Sequence, residues 1–419
     1  MKRMSVAELM EMLRAKIESK EFLTSARKKD SAFTRKRRMP FCDIIFFMCG
    51  SLRRSVQREL ELYFQKKGGT MVSRQAFAIA REQIRPEALR SLNDTVIEKF
   101  ETEDETKETY KGYRLIAVDG SIIDLPNTKA MQERFGFSSN DSGKVFTKGM
   151  AMAAFDVLNK ITIFAELYRY DESERKRILD IVDGFAELPY YQKSIFLLDR
   201  GYPSFQLFQK MTNHGQNFVI RVSANTLKEV RDCSASDKTI EIIRDNIPVT
   251  LRVVNIILST GETVKLVTNL SEEFTIDDLK ELYARRWGVE TQFNFVKNKE
   301  MLESFTGESE TAVLQDFYIG ILILNVTAVA YREQKQIITR KAKKAKHVYK
   351  PNKTQLIADL KTNWVRMMLG QKSSFTFFRE LNRFARIKRY AYAEIPGRHF
   401  DRPTGPNRST RSTHPKSPF

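Results

Sequence analysis

The chain of 419 residues carries 71 Lys and Arg against 52 Asp and Glu, a net charge of +19, and 42% of it is apolar. That is enough apolar material to build packed cores, so a chain disordered throughout is excluded. Three cysteines, at 42, 49 and 233, cannot make a disulfide framework, and four scattered histidines offer neither zinc spacing nor a serine triad, so any hydrolytic chemistry must draw on carboxylates.

Residues 1–20 alternate charged with apolar side chains and lack the apolar run of a signal peptide. The stretch 41–64 is apolar at helical spacing and is broken at 67–69. Ser73 then caps a helix predicted over 74–84, and Pro86 precedes another over 87–100. This pair is similar to a helix-turn-helix, with Arg74, Gln75 and Arg81 expected on its polar side; an ordinary amphipathic bundle has the same pattern.

From Tyr113 the texture becomes that of strands. Short apolar runs at 114–125, 149–156 and 162–167 are followed by a helix predicted over 171–188, a strand over 194–199, a helix over 204–212 and a strand over 217–222. That order predicts a mixed sheet flanked by helices. Residues 238–269 alternate apolar with polar, with turns at 245–246 and 261–262, and read as a β-rich insertion. A helix is predicted over 275–299. The run 317–331 (FYIGILILNVTAVAY) is short for a membrane span and contains Asn325 and Thr327, so a buried core helix is expected.

The charge is segregated. Residues 331–419 hold 22 Lys and Arg against 5 Asp and Glu, residues 1–40 hold 12 against 5, and the middle holds 37 against 42. Cationic arms such as 340–346, with Lys341, Lys343 and Lys344, displace counterions from a phosphate backbone, lowering log affinity by about 0.9 per contacted phosphate per log unit of salt. Nucleic acid is therefore the expected partner.

Candidate chemistry falls on three carboxylates. Asp119 follows the apolar run Leu115-Ile116-Ala117-Val118, and Asp199 ends Ile195-Phe196-Leu197-Leu198 before Arg200-Gly201-Tyr202. Singly, each could be a turn former; on neighbouring strands about 4.8 Å apart the two could share a divalent ion. The third acid is Glu290. On an ideal helix, Tyr283, Arg286, Glu290 and Lys297 fall within about 60° of one another, so one face carries a carboxylate among two cations and a phenol.

The spacing Tyr283-(two)-Arg286-(three)-Glu290-(six)-Lys297, with VDGS around Asp119 and LLDRGY around Asp199, resembles the Y-R-E-K signature of DDE transposases encoded by bacterial insertion sequences. The resemblance spans roughly 110–330. It implies an α/β fold: an RNase H-like mixed sheet flanked by helices, with a β-rich insertion, plus an α-helical N-terminal and a basic C-terminal region. The implied domains are a helical DNA-binding region at 1–105, a catalytic domain at 106–330 with its insertion at about 224–272, a basic helical region at 331–395 and a disordered tail at 396–419.

The same resemblance implies that Asp119, Asp199 and Glu290 coordinate two Mg²⁺ ions, with Mn²⁺ as a substitute, for cleavage and strand transfer of insertion-sequence ends in cut-and-paste transposition. It assigns Tyr283, Arg286 and Lys297 to phosphates of the transposon end, with Arg221 as a weaker candidate and Trp287 for stacking on a displaced base or for core packing. Double-stranded DNA, both transposon ends and target, is the implied partner of a homodimer, without membrane association, in a bacterial cytoplasm beside the nucleoid. Residues 224–272 contain no Trp, so a hairpin route is not implied. Asp124 and Asp156 lie outside the matching motif. Two alternatives stay open: a domesticated, non-cleaving DNA-binding protein and a structure-selective nuclease of the same fold.

Overall fold

The computed structural model describes residues 2–51, 54–223, 226–257, 263–286, 305–341, 348–384 and 391–394. Six helices open the chain: α1 (Val6–Glu18), α2 (Lys20–Ala26), α3 (Phe41–Gly50), α4 (Val56–Lys67), α5 (Arg74–Arg81) and α6 (Pro86–Glu103). Then follow β1 (Arg114–Asp124), α7 (Lys129–Phe135), β2 (Phe137–Ser139), β3 (Val145–Asp156), β4 (Ile161–Arg169), α8 (Glu174–Ala186), β5 (Ser194–Leu198), α9 (Phe205–Asn213) and β6 (Asn217–Val222). After α10 (Lys228–Arg231) come β7 (Asp237–Arg244), β8 (Ile247–Ile257), β9 (Thr263–Thr268) and α11 (Ile276–Arg285). The last described elements are α12 (Glu310–Lys341), β10 (Val348–Pro351), α13 (Lys353–Met368), α14 (Ser374–Phe384) and β11 (Ala391–Glu394).

Backbone contacts group these into two units, one of residues 1–105, 125–131 and 296–419, the other of residues 106–124 and 132–295. In the first, the apolar stretch 41–64 does not form one helix. It stops at Gly50 and restarts at Val56, where the Ser55 hydroxyl accepts the Arg58 N–H at 3.3 Å, the cap that satisfies an otherwise orphaned donor. Gly50 is where α3 meets α13, since a Cβ there would stand 2.7 Å from Val365 Cγ2. Ser73 caps α5 in the same way, accepting the Ala76 N–H at 3.1 Å.

The apolar run 317–331 lies within α12, which is long and apolar enough by composition to cross a membrane, yet 94% of its apolar window is buried inside the protein. It packs along α6. A helix apolar on all sides needs such cover, and within the run 317–331 the Asn325 side chain donates to Asn93 Oδ1 at 2.8 Å and Thr327 donates to the Ile323 carbonyl at 2.7 Å.

One sequence expectation is overturned here. Arg81 is not on the polar face of α5 but is buried, 2% exposed. Its guanidinium donates to Gln315 Oε1 at 2.8 Å, Thr306 Oγ1 at 2.7 Å and Asp316 Oδ1 at 3.0 Å. An arginine at the end of a helix looks solvated when its counter-charge is more than 200 residues away in the chain.

Among the described residues, the second unit is built on one sheet of nine strands in the order β2-β3-β1-β5-β6-β9-β8-β7, with β4 paired to β3 as well. Strand β3 pairs antiparallel with both β4 and β1, and β5 and β6 then lie parallel to β1. That is the RNase H-like arrangement expected from the sequence. Strand β5 is buried at all five positions and β3 at its last eight, because the parallel core of such a sheet is covered on both faces. The residues read as a β-rich insertion extend the sheet: β7, β8 and β9 form an antiparallel meander whose last strand pairs with β6. The β7–β8 turn is made by Asp245 and Asn246, both at positive φ (51° and 61°), the conformation a two-residue hairpin loop demands. The second turn, at 261–262, lies outside the described residues.

Candidate functional site

The two aspartates sit on neighbouring parallel strands. Strand β1 pairs with β5 through Ala117 and Leu197, and β5 pairs with β6 through Leu198 and Ile220. Carried one or two residues further, this register sets Asp119, Asp199 and Arg221 in one row across three strands. Parallel neighbours in register share a face, so the three side chains leave the sheet on the same side, at strand spacings of about 4.8 Å. The register thus directs two carboxylates and a guanidinium that are 22 to 102 positions apart in the chain to one side of three neighbouring strands.

Helix α11 brings two more candidates to Asp199. Tyr283 directs its hydroxyl to Asp199 Oδ1 at a long 3.5 Å, and the Arg286 guanidinium stands 3.8 Å from Asp199 Oδ2 and 5.6 Å from the Tyr283 ring centre. The backbone N–H of Arg200 donates to Asp199 Oδ1 at 2.7 Å, fixing the carboxylate at the end of its strand. Arg286 is 2% exposed. A buried guanidinium facing a carboxylate holds fixed positive charge beside the acids, and a guanidinium is a group suited to binding phosphate.

The start of α11 explains why Tyr283 and Arg286 are placed so firmly. Thr275 and Asp278 form a capping box, and Leu279 and Leu282 are buried in the core with β1, β5 and β6. Asp278 also accepts from Lys111 Nζ at 2.6 Å and from the Tyr110 hydroxyl at 2.7 Å. The Lys111 and Tyr110 bonds hold its carboxyl well below the ordinary aspartate value of 3.8. A depressed folded value contributes stability above pH 3.8 that is lost as pH falls below it. Asp278→Asn is therefore expected to lower the melting temperature at pH 7 and to narrow the wild-type loss between pH 7 and pH 3; equal losses in both proteins would contradict this.

Tyr202, present in the LLDRGY motif but not among the candidate site residues, and Glu174 stand beside the pair. Tyr202, 2% exposed, donates its hydroxyl to Glu174 Oε2 at 3.2 Å. Burial raises its phenol well above the ordinary value, and the charges of Glu174, Asp119 and Asp199 add to that shift, so all three carboxylates act on this one hydroxyl. Glu174 lies against Gly120, where a Cβ would come within 2.7 Å of Glu174 Oε1. Glu174 was hidden in the charged run DESERKR, which reads as a solvated helix start; the available signal was its place at the first turn of the helix after β4. The neighbouring acids have other work. Asp156 is fully buried and accepts from Arg114 Nε at 2.6 Å and from the Asn159 side chain at 2.9 Å, while Asp124 pairs with Lys148.

Of the other sequence candidates, Arg74 and Gln75 are exposed on α5, and Lys341 is the last residue of α12. Glu290, Lys297, Trp287, Lys343, Lys344 and the tail at 396–419 lie outside the described residues. Among the described residues no three carboxylate, histidine or cysteine side chains are grouped to hold a metal ion. Asp119 and Asp199 are nonetheless hard oxygen donors on adjacent strands, the donor type that Mg²⁺ takes.

An RNase H-like sheet with an acid two residues past the last parallel pair on each of two adjacent strands defines the class of domain. Residues 110–326 match the Transposase DDE domain family, and the chain belongs to that family. The chain is 24% identical over 186 residues to y4zB of Sinorhizobium fredii (strain NBRC 101917 / NGR234), which is named as a transposase; the match takes in 39% of this chain and 52% of that one. The chain thus spans about half the length of this relative. A chain in the cryo-EM structure of the piggyBac transposase synaptic complex with hairpin DNA aligns with 93% of this chain and 86% of its own length, at 11% identity and a TM-score of 0.49.

Proposed function

We propose that this transposase cleaves the ends of an insertion sequence and transfers them to target DNA in a metal-dependent, cut-and-paste reaction. The observation that carries the reading is the row of Asp119, Asp199 and Arg221 on three parallel strands, with Tyr283 and Arg286 brought to Asp199 by α11. Asp119, Asp199 and Glu290 would hold two Mg²⁺ ions. When bound, such ions activate a water or a 3′-hydroxyl and steady the leaving oxygen of an in-line phosphodiester displacement.

The chain's own residues do the rest. Arg286, Tyr283, Lys297 and Arg221 grip and orient the phosphates at the cleaved end, since guanidinium and ammonium groups bind phosphate by charge-assisted hydrogen bonds. Arg200 donates its backbone N–H to Asp199 and so keeps that carboxylate from turning away. Trp287 offers a face for a displaced base. In the other unit, the exposed Arg74 and Gln75 of α5 and the cationic stretch from Lys341 through Lys343 and Lys344 contact duplex DNA, and a homodimer holds two ends together.

The test is to incubate the purified protein with Mg²⁺ and duplexes that carry either the terminal inverted repeats flanking its gene or the same bases scrambled. Cleavage confined to the repeat-bearing duplex is expected. Binding without nicking, in Mg²⁺ and in Mn²⁺, would reject the reading in favour of a DNA-binding protein, and cleavage of both duplexes alike would favour a structure-selective nuclease.

A further inference from the structure

The turn that carries Asp199 is gripped from outside the sheet by the first turn of α8. Arg175 donates its Nε to the carbonyl of Gly201 at 2.6 Å, and its neighbour Glu174 accepts the hydroxyl of Tyr202 at 3.2 Å. The same turn is closed on itself, the Tyr202 N–H donating to the Asp199 carbonyl at 3.2 Å. Two successive side chains of α8 thus hold two successive residues of the segment 199–202.

Helix α8 is itself anchored. Arg177 pairs with Glu172 and lies 4.6 Å from the ring centre of Tyr168 on β4, and Ile178, Ile181, Val182 and Phe185 are buried. Glu174 also reaches the other aspartate's strand, because Gly120 follows Asp119 and leaves the space that a Cβ would take, 2.7 Å from Glu174 Oε1. The carboxylate of Glu174 therefore touches both halves of the site: the backbone next to Asp119 and, through Tyr202, the turn of Asp199.

The geometry points to Glu174 as a positioning residue that sets the separation of Asp119 and Asp199 through its bond to Tyr202, with Arg175 fixing the same turn. It rests on the reading of Asp119 and Asp199 as the metal-binding pair. Glu174 does not act by its charge. It acts as the acceptor that holds a buried hydroxyl, which has no water to turn to if the acceptor is lost. Groups that orient metal-binding side chains in this way typically change metal affinity by about 10–100-fold when removed.

The test titrates the full-length protein with Mn²⁺, following free Mn²⁺ by electron paramagnetic resonance, with thermal melts of the metal-free proteins alongside. Tyr202→Phe keeps the buried ring and removes only the hydroxyl; Glu174→Ala removes the acceptor; Glu174→Gln keeps an acceptor and removes the charge. The expected result is Mn²⁺ affinity weakened about tenfold in Tyr202→Phe and Glu174→Ala, and restored to within about threefold of wild type in Glu174→Gln. Unchanged affinity in Tyr202→Phe and Glu174→Ala, while Asp199→Asn loses Mn²⁺, would overturn the positioning role and leave the aspartate pair standing. A Glu174→Gln protein as weak as Glu174→Ala would overturn it in favour of a direct contribution of charge. Wild-type affinity in Asp199→Asn, or a wild-type protein that takes up no Mn²⁺, would overturn the reading of the pair and the positioning role with it.

Discussion

Replacing Asp199 with Asn is expected to lower strand cleavage by more than about a hundredfold, which is roughly 3 kcal/mol of lost transition-state stabilisation, while the protein still folds and binds DNA. The structure says why folding is spared. Asp199 sits at the mouth of the sheet, and its contacts there are the Arg200 N–H at 2.7 Å, the Tyr283 hydroxyl at 3.5 Å and Arg286 at 3.8 Å. An amide keeps an oxygen for the first of these and has the same volume. It loses the negative charge, and with it the affinity for a divalent ion; the ion pair it gives up with the buried Arg286 is long, at 3.8 Å, so the melt should fall less than when the closer Arg114 pair is broken. Single-turnover cleavage of end-bearing DNA, with fluorescence anisotropy for binding and a thermal melt for folding, separates the three effects. Undiminished cleavage by Asp199→Asn would sink the mechanism.

Asp156 is the control for that experiment. It is also an aspartate at the end of an apolar strand, but it is fully buried against Arg114. Neutralising it leaves the Arg114 guanidinium, 5% exposed, without its ion-pair partner, a change that costs about 3–5 kcal/mol when a buried pair is broken. Asp156→Asn should therefore fail in the melt, and Asp199→Asn in the reaction. The same substitution reports on stability at one site and on chemistry at the other.

The sequence separated these two aspartates only through the short motifs around them. Strand, turn and acid were legible in Leu115 to Ser121 and in Ile195 to Tyr202, because a buried parallel strand needs an apolar run and the chain must turn at its end. That the two strands are neighbours was not legible, since pairing is decided by packing across some 80 residues. Glu174 was invisible for a related reason: its partners, Gly120 and Tyr202, are 54 positions before it and 28 after. The short strand β2 and the helix before it escaped because three paired residues, Phe137 to Ser139, leave no period to read. Arg81 misled for a physical reason. Helical periodicity marks a face as polar, but it does not say whether the polar group meets water or a buried acid.

The buried Arg81 carries the largest effect on stability expected in the helical unit. Arg81 and Asp316, 2% and 4% exposed at their side chains, form an ion pair at 3.0 Å. The pair is embedded in a closed set of bonds: Arg81 also donates to Gln315, Thr306 and the Ala312 carbonyl, and Gln315 returns two bonds to the Arg81 and Ile84 carbonyls at 2.9 Å each. Asp316 accepts the Thr306 N–H at 2.7 Å. The network fastens the end of α5 to the start of α12. Removing one charge leaves the other buried and uncompensated, so Arg81→Ala or Asp316→Ala should each cost about 3–5 kcal/mol, a fall in melting temperature of roughly 10 °C for a unit of this size. Removing both charges together is different, because well-packed apolar side chains in place of a buried pair are often neutral or stabilising. Arg81→Met with Asp316→Leu should recover most of the loss, to within about 2 kcal/mol of wild type. If the double variant melts as low as the sum of its two single changes, the pair is not coupled and the cost lies in the surrounding hydrogen bonds. If the single changes leave the melt unaltered, the α5–α12 junction is not held by this network at all.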